Sequence, residues 1–176
     1  FVINQLSGGG CEHMGNFPTF PVKGKLKMSP DNILNYRINI SEEKGHAGYY
    51  EAKVQEDIHA KLTVTERTGM ASYEYPADQQ YGTVIIGGGI SATPIEQAAI
   101  VITAPNKCEG YAEGGNFCGL RTPYKVYFVA EFDTDALESG TWKRNELKPN
   151  TTFAEGEYSG VYFTFDVNKK KNIQYK

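Results

Sequence analysis

An all-β fold is what this sequence predicts, and three observations carry the prediction. Short runs rich in aromatic and β-branched residues recur along the chain, several alternate between apolar and polar positions, and turn chemistry separates them. The chain opens on FVINQL, which reads as the middle of a strand. YYEAKVQE follows at 49 to 56, then IHAKLTVT at 58 to 65, where Ile58, Ala60, Leu62 and Val64 fall on one face and His59, Lys61, Thr63 and Thr65 on the other. That period of two belongs to a half-buried antiparallel strand. MASYEYP (70 to 76), TVIIG (83 to 87), QAAIVITA (97 to 104), KVYFVAEFD (125 to 133) and YSGVYFTFDV (158 to 167) carry the same enrichment. Between them stand Pro30-Asp31-Asn32, Pro76-Ala77-Asp78, Ala104-Pro105-Asn106 and scattered glycines, the residues that supply turn geometry. A helical reading is confined to one turn at most, near Ile95 to Ala99. At the far end VYFTFDVNKKKNIQYK reads as a hairpin whose second strand is cut short, with Lys169-Lys170-Lys171 as its solvated tip. Many short strands at this spacing mean a sandwich or a barrel.

The 176 residues suit one substantial core, so 1–176 reads as a single domain, with no tandem repeat and no linker. Apolar residues at 40% and charged residues at 22% describe a folded globular chain rather than a disordered one. A net charge of −3 with one short basic run leaves no footprint for nucleic acid. No segment approaches the roughly 18 apolar residues of a membrane span. Neither nucleic acid nor a membrane is therefore expected as a partner. The chain lacks an initiating methionine and a charged-then-apolar leader and opens inside a strand, so it is expected to be a piece of a longer protein. Cys11, Cys108 and Cys118 allow at most one internal pair; Cys108 and Cys118 could close a loop, and the spacing does not fix a compartment.

The densest cluster of chemistry-bearing residues is SGGGCEHMGNFPTFP at 7 to 21. It is no phosphate loop, because no Gly-Lys-Ser/Thr opens a helix after it. Cys11 and His13 lie two apart with no second ligand pair, which is not zinc spacing. The same two residues lack an orienting third group, which argues against nucleophilic catalysis. The glycines suit a tight loop through which backbones approach closely, held by Phe17 and Pro18 entering the core. Gly87-Gly88-Gly89 ends an apolar strand and reads as a bulge or wide turn rather than a ligand site. His59 and His46 read as surface residues. Trp142, the one tryptophan, reads as packing rather than a sugar platform. Asn39-Ile-Ser and Asn150-Thr-Thr match the glycosylation acceptor pattern. No carboxylate pair gains an acid and base role from spacing alone.

Taken in order, several segments resemble the N-terminal domain of glycoside hydrolase family 92, the calcium-dependent exo-acting α-mannosidases. LSGGGCEHMGNFPTFPVKGK resembles that family's His-Leu-Ser-Gly-x-Gly-Cys and Gly-Asp-hydrophobic-Pro signature. EEKGHAGYYEAKVQEDIHAKLTVTERTGMASYEYP resembles its Pro-Gly-Tyr-Tyr segment and the Ala-Glu-Leu-Thr-Ala-Thr-x-Arg strand after it, and EGYAEGGNFCG, YKVYFVAEFD and SGVYFTFD fall where the family has strands. The chain departs from the pattern at Gln5 for His, Asn16 for Asp, Ala47 for Pro and Lys61 for Glu.

The resemblance implies a large antiparallel β-sandwich, supersandwich-like, followed after residue 176 by an (α/α)6 barrel that supplies the catalytic acid, the base and the calcium ligands. It implies inverting hydrolysis of terminal α-mannosides, at a site where the two domains meet. No catalytic residue and no metal ligand is then expected within 1–176, and the chain alone is expected to be inactive. Gly9, Gly10, Cys11, Glu12 and His13 become candidates for walling the substrate, with Cys11 as a small packing residue. A free-standing carbohydrate-binding or adhesion module is the competing reading.

Overall fold

A computed structural model describes residues 1–4, 15–30, 39–91, 94–115 and 123–176. In chain order the strands are β1 (Ile3–Asn4), β2 (Gly15–Asn16), β3 (Thr19–Lys23), β4 (Ile40–His46), β5 (Tyr49–Val54), β6 (Ile58–Val64), β7 (Gly69–Glu74) and β8 (Tyr81–Gly87). They continue as β9 (Ile95–Ala104), β10 (Lys107–Gly114), β11 (Tyr124–Glu131), β12 (Glu138–Lys143), β13 (Glu146–Pro149), β14 (Phe153–Glu155), β15 (Ser159–Asp166) and β16 (Asn172–Tyr175). Every pairing is antiparallel, and no helix occurs among the described residues.

Two layers face each other. One is a five-stranded sheet in the order β13-β12-β15-β8-β3. Its central strands β8 and β15 are buried along nearly their whole length, because both of their faces are covered. The second layer is built from a five-stranded sheet, β16-β7-β6-β5-β4, and a four-stranded one, β11-β10-β9-β14. An antiparallel bridge between Phe132 and Tyr175, with Glu131 and Lys176 exchanging backbone hydrogen bonds of 2.9 and 3.1 Å, stitches β11 to β16.

Rings at that seam join the layers. Phe132 lies 4.9 Å from Phe163, 5.1 Å from Phe165 and 4.9 Å from Tyr175. The Tyr175 hydroxyl is 2.6 Å from Thr19 Oγ1 and 3.2 Å from the Tyr73 hydroxyl, so the buried tyrosines keep hydrogen-bond partners as they fill the core. The far face of the β8–β15 sheet is crossed by residues 24 to 30. The Thr83 hydroxyl donates to Gly24 O at 2.7 Å, Lys25 pairs with Glu138 at 2.7 Å, and Ser29 Oγ donates to Arg144 O.

The alternation in β6 appears as expected at its start, with Ile58 and Ala60 fully buried, and fades toward Val64, which is 63% exposed. Two expectations are corrected. Ile95–Ala104 is a ten-residue strand and contains no helical turn, because pairing with β10 on one side and β14 on the other overrides the helix-forming Glu-Gln-Ala-Ala. The C-terminal segment is not a hairpin: β15 already holds β8 and β12 as neighbours, so β16 crosses to the other layer and pairs with β7. Val167 to Lys169 form a turn closed on Asp166 O, and Lys170 and Lys171 lead from it into β16.

The edge strand β4 is irregular. Its register against β5 slips between Ser41 and Lys44, where Glu42 takes φ 51°.

Candidate functional site

Gly9, Gly10, Cys11, Glu12 and His13 lie outside the described residues, as do Gln5 and Cys118. Their frame is described. β1 and β2 pair Ile3 with Asn16 and Asn4 with Gly15, so the glycine-rich segment bridges the two strands of a short ladder. Asn16 is fully buried, forms an isolated bridge with Ser91, and accepts a 3.3 Å hydrogen bond at Oδ1 from the Tyr124 hydroxyl. Gly114, paired with Ile95, comes so close to Pro94 that an added Cβ would lie 2.7 Å from Pro94 O. These contacts draw the flanks of three connections to one corner of the sandwich. Beneath it sits a small second core of Phe17, Ile95, Ala98 and Ala112, with the Phe17 ring tilted at 36° and 4.2 Å from that of Phe128. Phe17 is held at φ 49°, a conformation costly for a phenylalanine, and its burial in this cluster offsets that cost.

The corner can position a loop, and the polar side chains that mark it are the Asn16 amide and the Ser91 and Tyr124 hydroxyls. Sequence reasoning singled out Asn16 only as a departure from a signature, and it missed Tyr124. No local pattern marks a hydroxyl that finds its partner more than a hundred residues away.

The other candidates resolve as packing. Gly88 and Gly89 both donate backbone hydrogen bonds to Ser159 O, at 2.9 and 3.1 Å. A Cβ on Gly89 would overlap the Gly156 carbonyl, so these glycines serve the approach of two backbones. Trp142 is fully buried with its ring over Gly160. His46 is exposed and stacks 5.2 Å from Tyr49, while His59 sits half-buried, 3.9 Å from Glu51. Cys108 is a free thiol buried in β10, and burial pushes its pKa up to about 12. Asn39 and Asn150 are both exposed.

An open groove of about 570 Å³ lies between the β4–β5 turn and β6, lined by His46, Tyr49, Tyr50, Leu62 and Val64 among others. Burial first, and the hydrogen bond to Glu43 second, push the Tyr50 hydroxyl up to about 12, so it stays protonated. Among the described residues no three His, Cys, Asp or Glu side chains gather where a metal ion could bind.

The family model for the glycosyl hydrolase family 92 N-terminal domain matches residues 1–176. The chain belongs to family 92. Solved structures agree on the fold of this family 92 domain. The inverting mannosidase BT2199 from Bacteroides thetaiotaomicron VPI-5482 superposes with a TM-score of 0.69 at 19% identity, over 94% of this chain and 21% of its own. The family 92 hydrolase ccman5 gives 0.76 at 21% identity, over 92% of this chain and 23% of its own. The α-mannosidase BT3965 from Bacteroides thetaiotaomicron gives 0.75 at 20% identity, over 92% and 24%. The family 92 domain thus spans less than a quarter of the length of these enzymes. None of the curated proteins matches it.

Proposed function

We propose that this chain is the N-terminal β-sandwich of a calcium-dependent, inverting exo-α-mannosidase that removes terminal α-linked mannose from mannosides and N-glycans. The carrying observation is the family 92 match over residues 1–176, in a chain that covers only 21 to 24% of the solved family members. In this reading the catalytic acid and base belong to a following (α/α)6 domain of the same polypeptide. One carboxylic acid protonates the leaving oxygen, and a carboxylate activates water on the opposite face of the sugar.

This chain's part is to wall the substrate with Gly9, Gly10, Cys11, Glu12 and His13. The glycines let backbone approach a sugar ring closely, and Glu12 and His13 offer hydrogen bonds to its hydroxyls. The buried Asn16, the Tyr124 hydroxyl and Phe17 support that role, because they fix the point at which the loop leaves the sandwich. Calcium prefers several oxygen ligands at once, and in this reading the following domain supplies them.

The test compares the full-length parent with the chain alone on an aryl α-mannoside and α-mannobiose. The parent should release β-mannose first, lose activity in EDTA and regain it with calcium, while the chain alone should show no turnover. Turnover by the chain alone sinks the reading. A parent that binds mannosides without hydrolysing them would instead be a binding module. In the parent, Glu12→Gln combined with His13→Ala should weaken turnover, and unchanged kinetics would return the loop to packing.

A further inference from the structure

The four-stranded sheet turns one face to the core and the other to solvent. Pairing registers arrange the solvent face in rows that run across β14, β9, β10 and β11. Two middle rows are largely apolar. One holds Phe153, Val101 and Val129, and the next holds Ala99, Tyr111 and Tyr127, with Glu109 and Glu155 as the charges among them. Phe153 is 54% exposed, Val129 55% and Tyr127 72%.

The rows at either end are polar. Lys107 stands opposite Glu131, and Glu113 lies opposite Lys125 with 3.3 Å between their charged atoms. An apolar centre inside a polar rim is the anatomy of a protein interface. The solvent face of the neighbouring five-stranded sheet is different: Lys44, Glu51 and Lys61 follow one another across it in register, as an ordinary hydrated surface would have them.

Size supports the same conclusion. Four strands about 4.8 Å apart, and eight residues at about 3.3 Å each, give a face of roughly 15 by 26 Å, on the order of 400 Å². A face of that size matches one side of an interface between domains of one chain, where the two partners together bury about 600–1,500 Å².

We propose that this face docks the remainder of the same polypeptide; the occupant rests on the reading above that a catalytic domain accompanies this chain. The solved family members are more than four times as long as the segment that this chain covers. A covalently tethered partner needs only a modest interface, because the tether supplies its effective concentration. Carboxylates outnumber lysines in these rows, so the docked surface is expected to present an apolar centre with Lys or Arg at its margin. A glycan suits the face less well. Lys125 Nζ sits 4.0 Å over the Tyr111 ring and covers one face of it.

Hydroxyl-radical footprinting of the full-length parent tests the proposal without a mutation, comparing native protein with the same chain in urea. Tyr127 and Phe153 should label several-fold more slowly in the native parent than in the unfolded chain, and Val129→Arg should restore the labelling of Tyr127. Native labelling at the unfolded rate overturns the proposal. Protection that appears only when α-mannobiose is added also overturns it and assigns the face to sugar. The readout does not use activity: an inactive parent with Tyr127 protected refutes the mannosidase reading alone, and an active parent with Tyr127 freely labelled refutes this proposal alone.

Discussion

Gly82→Ala is a one-methyl change that should be felt across the whole core. Gly82 lies in β8 between Phe165 of β15 and Lys23 of β3, with the Tyr75 ring lying directly on it. A Cβ there would stand 2.5 to 2.7 Å from three ring atoms, whereas carbon contacts become comfortable only near 3.5 Å, so the ring must retreat by about 1 Å. Tyr75 is 1% exposed and donates a 2.9 Å hydrogen bond to Thr83 O. A retreat of that size breaks the bond. Overpacking costs about 1–3 kcal/mol and the lost bond about 1 kcal/mol, so the chain should lose about 2–4 kcal/mol. For a domain of this size that is roughly 5 to 15 °C in Tm. Urea unfolding followed by tyrosine fluorescence and circular dichroism gives the loss as a shift in midpoint at constant slope. Tyr75→Phe alone should cost about 1 kcal/mol, and the double variant should fall short of additivity by about that amount, since either change removes the same bond. A cost for Gly82→Ala below about 0.5 kcal/mol, within the range of an inconsequential surface change, or full additivity with Tyr75→Phe, would refute the reasoning.

Alkaline pH should destabilise the fold late and steeply. Burial holds Tyr175 and Cys108 up to about 12 and Tyr73 and Tyr75 well above the usual 10.0, so the unfolded chain loses these protons first. Their contribution is therefore whole below about pH 9 and is lost toward pH 12, at about 1.4 kcal/mol per pH unit for each group titrating; urea midpoints that already fall between pH 7 and 8.5, or that stay level to pH 11, would contradict this. Iodoacetamide at pH 8 should leave Cys108 unmodified in the native protein and alkylate it in urea, as peptide mass spectrometry would show; native alkylation would place the thiol outside the core. Gly89→Ala should cost about 3 kcal/mol or more because its Cβ meets backbone, whereas Gly69→Ala, with open space around it, should be nearly silent. Equal thermal shifts for the two would refute the close-approach reading of the Gly87 to Gly89 turn.

Strands whose own side chains alternate or run apolar were legible in the sequence. β5, β6, β7, β8, β11 and β15 all fall where the runs of aromatic and β-branched residues place them. β12, β13 and β14 escaped notice because ESGTWK, ELKP and FAE are short and mixed, and partners distant in sequence define them. Gly140, for instance, stands against Pro149 on one side and Tyr162 on the other. The supposed C-terminal hairpin failed for a related reason: nearness in sequence suggests pairing, but an interior strand has no edge left to offer. At the candidate site the buried role of Phe17 was readable from Asn-Phe-Pro after a glycine loop. The tie between Asn16 and Tyr124 was not, since it exists only after β2 and β11 have found their places in different sheets.

The broken register in β4 bears on how the protein behaves in company. A regular edge strand of seven residues would offer another chain a row of evenly spaced backbone donors and acceptors, which is how sheets polymerise. Here the slip between Ser41 and Lys44 interrupts that row. Glu42, Glu43 and Lys44 add charge at the same place, tied back to Lys53, Tyr50 and Glu51. The irregularity acts as a guard against fibril growth, and straightening β4 while neutralising these charges would create an aggregation-prone edge without touching the core.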